Sequence, residues 1–384
     1  MLDRTHARWA LMAGLLVLIA STGLADDETV RGPSRTFAGN LAMLDGDIPY
    51  WANKEYVDRA LHRLKEAGFN VYMPTVWQGR GTAWPSRYAP WDVQLKDHPK
   101  SDFDPLRYAI AKAHELGIEV HPWFTLTLRQ SDIFPEFAPP GSPEGAFDVH
   151  HEGFRRLMAN LVAEVVENYD VDGINLDYVR AMGLCKSARC TLEYRQRYGR
   201  SLQLDTTAFN LTFGQVPTLV DYQESAVTAM VKGISEKIRR RKPNLLISVD
   251  AIPGQSSPEQ GQASVEWVNE GLVDVILRMD YFPRLNIGVT ESVRAKLLNP
   301  DRLSLLICNM ATEEELTAPD QPRFPRSGKW LAETASMIRS RWPHTGLAVY
   351  FYKYLSDDQI AALRAGPFRM SQDGLKRPIG PSVQ

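Results

Sequence analysis

The sequence predicts an α/β chain folded as a single (β/α)8 TIM barrel, on three observations. Short apolar runs alternate with amphipathic stretches eight times between Thr36 and Arg364, with no internal repeat. The 384 residues, 44% of them hydrophobic, exceed the about 250 that such a barrel needs as one domain. Acids close several of the apolar runs, where a parallel barrel presents its chemistry.

The N-terminus reads as a processing segment. Arg4, His6 and Arg8 precede the apolar run Trp9 to Ile19, and small residues lead to Ala25 before Asp26. That order describes a signal peptide, residues 1–25, cleaved after Ala25. The run is short for a membrane span, which takes about 20 residues. A polar linker, 26–35, follows; the barrel occupies 36–365 and a Pro/Gly-bearing tail 366–384. The mature protein is expected in the periplasm or secreted, with no membrane span left.

The barrel elements follow in order. Thr36 to Leu44 is the first strand; Glu55 to Ala67 is an amphipathic helix stopped by Gly68. Phe69 to Trp77 is the second strand. A long loop from Gln78 to Asp102 carries Arg80, Trp84, Tyr88 and Trp91, and loops of that length tend to be functional. Pro105 to Leu116 is a helix ended by Gly117, and Ile118 to Phe124 is the third strand. A Pro/Gly-rich loop leads to a helix beginning near His150. Tyr222 to Arg241, Val265 to Glu270, Thr290 to Leu298, Lys329 to Trp342 and Asp357 to Arg364 read as helices. Leu245 to Ala251, Val273 to Tyr281, Leu303 to Asn309 and Thr345 to Tyr352 read as the last four strands.

The fourth strand, inside Asp170 to Arg180, organises the rest. Counting back by two from Asp177 puts Asn175 and Gly173 on one face, with Ile174 and Leu176 on the other. An apolar face toward helices and a small polar face inward make Asp177 the first catalytic candidate. Asp250 and Asp280 close the fifth and sixth strands. Three carboxylates in one rim, surrounded by aromatics, suit glycoside hydrolysis: one acid protonates the leaving oxygen and a second attacks or activates water. Asp177 is expected to work ionised, kept so by Asn175 and Arg180, with a protonated partner. Asp250 is preferred as that partner, because Asp280 shares its face with Arg278 and reads equally as a counter-ion. An acid after a strand also caps the next element in many proteins, so each assignment stands beside a structural one. Trp77, Arg80, Trp84, Trp91, His121, Trp123, Asn175, Tyr178, Tyr281 and Tyr352 are the expected substrate contacts, with Trp84, Trp91 and Trp123 along one cleft.

Cys185 and Cys190, with four residues between them in the next loop, are expected to form a disulfide in an oxidising compartment; Cys308 reads as a small buried hydrophobe. The doublet His150-His151 has no spaced partner ligands and reads as a helix start; neither a metal nor a cofactor is expected. A formal charge of −2 gives no footprint for nucleic acid, and the oligomeric state is left open.

Several blocks resemble the glycosyl-hydrolase-like family ten group of bacterial exported TIM-barrel proteins. These are Gly68-Phe-Asn-Val-Tyr72, Tyr88-Ala-Pro-Trp91, Asp104-Pro-Leu106, Ala113 to Phe124, Tyr169 to Tyr178 and Gly271 to Ile276. The resemblance implies a polysaccharide-directed hydrolase and matches Asp177 to the family's acid. Two departures stand at the site: Tyr178 where the family has a second acid, and Arg278-Met-Asp280 where it has a Gln-bearing segment. The expected function is hydrolysis of a bacterial polysaccharide, cell-wall glycan or exopolysaccharide. The rival readings are a carbohydrate-binding pseudoenzyme and an envelope assembly factor on the same fold.

Overall fold

A computed structural model describes residues 36–46, 53–95, 103–212, 216–253, 260–318 and 320–364. The signal, the linker and the tail named above lie outside them.

Nine parallel strand segments make one closed sheet: β1 Leu41–Asp45, β2 Val71–Trp77, β3 Glu119–Val120, β4 Trp123–Thr125, β5 Gly173–Asp177, β6 Leu246–Ala251, β7 Val275–Asp280, β8 Leu303–Cys308 and β9 Leu347–Tyr350. β3 and β4 both pair with β2 and are one strand interrupted at His121-Pro122, so nine segments fill eight barrel places. Proline cannot donate to the ladder, which accounts for the break. Closure comes from β1, which pairs with β2 on one side and with β9 on the other, Leu41 opposite Leu347.

Helices cover the outside: α1 Lys54–Ala67, α2 Pro105–Glu115, α3 Glu152–Asn168, α4 Ala188–Tyr198, α5 Leu202–Thr212, α6 Pro217–Arg241, α7 Ser264–Asn269, α8 Ile287–Arg294, α9 Gly328–Arg341 and α10 Asp357–Arg364. Their ends follow local chemistry. Asn53 accepts from the amides of Glu55 and Tyr56 at the start of α1, and Gly68, at φ 88°, ends it in the left-handed region. The expected helix from Tyr222 starts earlier, at Pro217, and α4 and α5 are additions that the alternation did not announce. These two pack around Cys185, Cys190, Tyr194, Leu202 and Tyr222, a small satellite core beside the main one. Among the described residues no helix is long and apolar enough to cross a membrane.

Two apolar layers result. The larger lies between sheet and helices. The smaller fills the barrel, with Ala42, Leu44, Met73, Leu277, Leu306 and Ala348 pointing inward and Phe37 closing the entry end. In β5 the side chains alternate as the sequence pattern requires. Ile174 and Leu176 enter the outer layer, and Gly173, Asn175 and Asp177 face in.

Candidate active site

Asp177 stands at the carboxyl end of β5 with 8% of its surface exposed. Trp123 Nε1 donates to its Oδ2 at 3.2 Å, and the Tyr178 amide donates to its Oδ1 at 2.6 Å. Tyr178 reaches this position by taking φ 49°, a left-handed turn just past the strand. On β6, Leu246 lies opposite Gly173 and Val249 opposite Leu176. The next pair in register is therefore Asp177 and Asp250 on the inward face. Asp250 is fully buried and accepts from Asn175 Nδ2 at 2.8 Å, while its Oδ2 has no partner.

The electrostatics follow from burial. Burial pushes the Asp177 carboxyl up to about 6, against the lowering effects of the Tyr178 amide, Arg180 and Trp123. Asp250 is raised well above the usual carboxylate range, by burial first and by the charge of Asp177 second. Asn175 was expected to hold Asp177 ionised; it turns instead to Asp250 and to Ser248 Oγ, 3.0 Å away. Arg180 does lower Asp177, but less than burial raises it.

Aromatic rings border the pair. Trp123 meets Tyr350 edge-on at 6.1 Å, Tyr350 stacks on Tyr281 at 5.8 Å, and Phe351 lies 4.3 Å from Tyr350. The Tyr281 hydroxyl is pushed up by burial and then by the charges of Asp177 and Asp250. Tyr350 and Phe351 were missed by the sequence reading. Strand parity gives Ala348, Tyr350 and Tyr352 alike; β9 ends at Tyr350 and the chain turns, so Tyr350 keeps the inward face and Tyr352 leaves it.

Other expected site residues are elsewhere, each for a physical reason. Asp280 turns to the helix layer, where Arg278 pairs with it at 2.6 Å and the Asn286 amide donates at 2.8 Å. It is the counter-ion of Arg278, not a third acid of the mouth. His121 lies at the entry end of the barrel, 1% exposed, with Nε2 3.2 Å from Glu119 Oε2. Its ring fills the place of the Gly173 side chain, for a Cβ there would stand 2.8 Å from it. Tyr352 belongs to the outer layer, edge-on to Tyr56. Trp77 is fully buried against Phe147. Trp84 is fully buried too, its Nε1 donating at 3.1 Å to Glu164 of α3. Glu164 also accepts from Ser86 Oγ and from the Arg87 amide, so one helix carboxylate ties down the loop after β2. Arg80 is committed to Asp92 and Gln78, and Trp91 is half-buried against the outer core. Asn175 is fully buried beneath the mouth.

A Cys185–Cys190 disulfide joins the loop after β5 to the start of α4, and Cys308 is buried as a free thiol. Among the described residues the one cluster of metal-ligand type is Asp148 with these two cysteines, whose sulfurs are already bonded to each other. His151 caps α3 by accepting from the Gly153 amide, and His150 stacks on Tyr222 with ring centroids 3.9 Å apart. Neither histidine faces the acid pair.

A closed parallel barrel of this kind places the protein in the TIM-barrel class, whose similar solved structures are glycoside hydrolases. Within that class, the chain belongs to the family described as Glycosyl hydrolase-like 10, whose model matches residues 43–136 and 146–313. A curated relative, Glycosyl hydrolase DigH of Escherichia coli (strain K12), is 22% identical over 291 residues, covering 64% of this chain and 63% of its own length, less than two thirds. The PgaB (BpsB) glycoside hydrolase domain from Bordetella bronchiseptica superposes with TM-score 0.54 at 12% identity, covering 85% of this chain and 98% of that one. The beta-galactosidase from Marinomonas ef1 gives TM-score 0.59 at 10% identity, covering 85% and 58%. At such identities the likeness to these structures is one of fold.

Proposed function

We propose that this protein is an exported glycoside hydrolase acting on a bacterial polysaccharide, with Asp177 as the group that reaches the glycosidic bond. The observation that carries this reading is Asp177 itself. It is the acid of the inward pair that retains surface at the mouth, and it lies against the ring of Trp123. A carboxyl at about 6 keeps a proton in part near neutrality, as a general acid must. After it gives that proton to the leaving oxygen, water adds to the anomeric carbon, and the new carboxylate, stabilised by Trp123 Nε1 and the Tyr178 amide, takes the proton that water releases. Asp250 is sealed beneath and holds its own proton, so it acts on Asp177 rather than on the sugar. This differs from the expectation drawn from the sequence, where Asp250 was the acid and Asp177 the ionised partner: Asp177 takes the acid's role and Asp250 stays protonated. Trp123, Tyr281 and Tyr350 supply flat apolar faces of the kind that sugar rings stack against.

The test compares Asp177→Asn with wild type on a panel of bacterial glycans and on aryl glycosides of the same sugar. Loss of an acid costs about 10²–10⁴-fold on the glycan and little where the aryl leaving group needs no proton. Equal loss on both assigns Asp177 the nucleophile's role instead, and undiminished cleavage of the glycan removes it from the chemistry. A second reading, glycan binding without turnover, is favoured by the sealing of Asp250, which leaves one acid of the pair at the surface. It predicts binding that Asp177→Asn spares and no product from any glycan.

A further inference from the structure

Among the described residues, Arg180 is a cation at the mouth that no carboxylate pairs with. Arg180 is half-buried, three residues beyond Asp177, with its guanidinium carbon 4.6 Å from the centre of the Tyr178 ring. Its Nε is buried and has no hydrogen-bond acceptor. Among the described residues no carboxylate forms an ion pair with it, whereas several other arginines of the mouth loops have one. Arg80 pairs with Asp92, Arg129 with Asp132, Arg189 with Asp148, and Arg326 with Glu315. Asp177 feels the charge of Arg180 but does not close an ion pair with it.

The backbone that carries Arg180 is fixed from two sides. Thr127 Oγ1 lies 2.7 Å from the Tyr178 carbonyl and 2.8 Å from the Arg180 carbonyl. From the opposite side the Ala181 amide donates to the Gln260 carbonyl, and Gln262 Nε2 donates to the Val179 carbonyl. A guanidinium taken from water normally finds acceptors, because an unsatisfied buried donor is costly and a charged one more so. One carried on a fixed backbone over an aromatic face, with a donor left over, is suited to receive a planar anion.

We propose that Arg180 is a specificity-determining residue that binds an anionic substituent, a carboxylate, on the sugar next to the bond that Asp177 acts on. The inference rests on the hydrolase reading above and names the class of glycan: one whose sugars carry acidic groups. The simpler role, adjusting the proton affinity of Asp177, is met by the same side chain and must be separated by experiment.

The full chain and its Arg180→Gln and Arg180→Lys variants are assayed on carboxylate-bearing cell-wall glycan oligosaccharides and uronic-acid oligosaccharides, each before and after carbodiimide amidation. A phosphate-bearing glycan is run alongside, and binding is measured in parallel by calorimetry. Amidation is expected to lower wild-type kcat/KM about tenfold or more, mainly through KM, since a charged fork that loses its partner loses about 1.4 kcal/mol per factor of ten. Arg180→Gln erases the difference between native and amidated glycan, and Arg180→Lys restores part of it, as charge without the fork should. Equal losses on both substrates, with the acidic limb of the pH profile displaced, overturn the proposal and leave Arg180 serving Asp177. Discrimination by phosphate alone overturns the carboxylate assignment. Wild-type cleavage of amidated and native glycans at one rate overturns the inference and leaves the hydrolase standing. Binding that depends on charge and on Arg180, without any cleavage, keeps the inference and removes the hydrolase.

Discussion

Replacing Asp177 by Asn should turn from slightly destabilising in acid to stabilising as the pH rises. The carboxyl is raised from 3.8 to about 6 by burial, so the folded chain binds its proton more tightly than the unfolded one does. Stability from such a group is fully present below the unfolded value and is lost as pH rises through the folded value. At about 1.4 kcal/mol per tenfold change in proton affinity, the ionised carboxylate costs the fold about 3 kcal/mol above pH 7. Asn removes that cost. It also weakens acceptance from Trp123 Nε1 and the Tyr178 amide, about 1 kcal/mol each. The expected balance is a gain of about 1–2 kcal/mol at pH 8 and a small loss at pH 4. Removing the charge of Asp177 also eases ionisation of Asp250, which adds in the same direction. Urea unfolding of wild type and variant at five pH values from 4 to 8 measures it. A stability difference that stays flat across that range would refute the claim that Asp177 is held up by burial.

Two further outcomes are expected. Glu164→Gln should destabilise by about 2–3 kcal/mol and raise proteolytic cutting of the 83–88 loop, because the buried carboxylate accepts from Trp84, Ser86 and the Arg87 amide at once; unchanged urea midpoints and cutting would show that the loop is held by packing. In protein taken from its native compartment, Cys185 and Cys190 should resist alkylation until reductant is added, and serine at both should cost about 2 kcal/mol, the cross-link entropy of so short a loop; ready labelling without reductant would count against both the bridge and export.

Much of the fold was legible because it is written in local periods. The strand alternation of Gly173, Asn175 and Asp177 against Ile174 and Leu176 fixed the inward face of β5, and Gly68 fixed where α1 stops. The eight-place barrel and its closure through β1 and β9 follow from repeated strand–helix alternation, which leaves few other ways to bury both faces of each strand. The place of Asp177 at the carboxyl end of β5, facing in, was readable for the same reason: it ends a strand whose inner face is small and polar.

What the tertiary structure alone decided is where polar and aromatic groups beyond the strand interiors point. In β7, Val275 and Leu277 face in while Ile276 faces out, so the run is apolar on both sides and does not declare the face of Arg278 and Asp280. Packing sends that pair outward, to Thr290 and the Asn286 amide. Trp84 looked like a ligand platform in a long loop, yet its partner Glu164 is 80 residues away in sequence and on a helix. The end of β9 at Tyr350, before a short helical turn, shifted the aromatic face by two residues. Periodicity carries information within an element. Burial of a charge and the meeting of distant side chains depend on which elements pack together, and so the sequence determined the barrel and the inward place of Asp177 while packing decided which carboxyl lies beside it, how tightly it holds its proton and what else surrounds it.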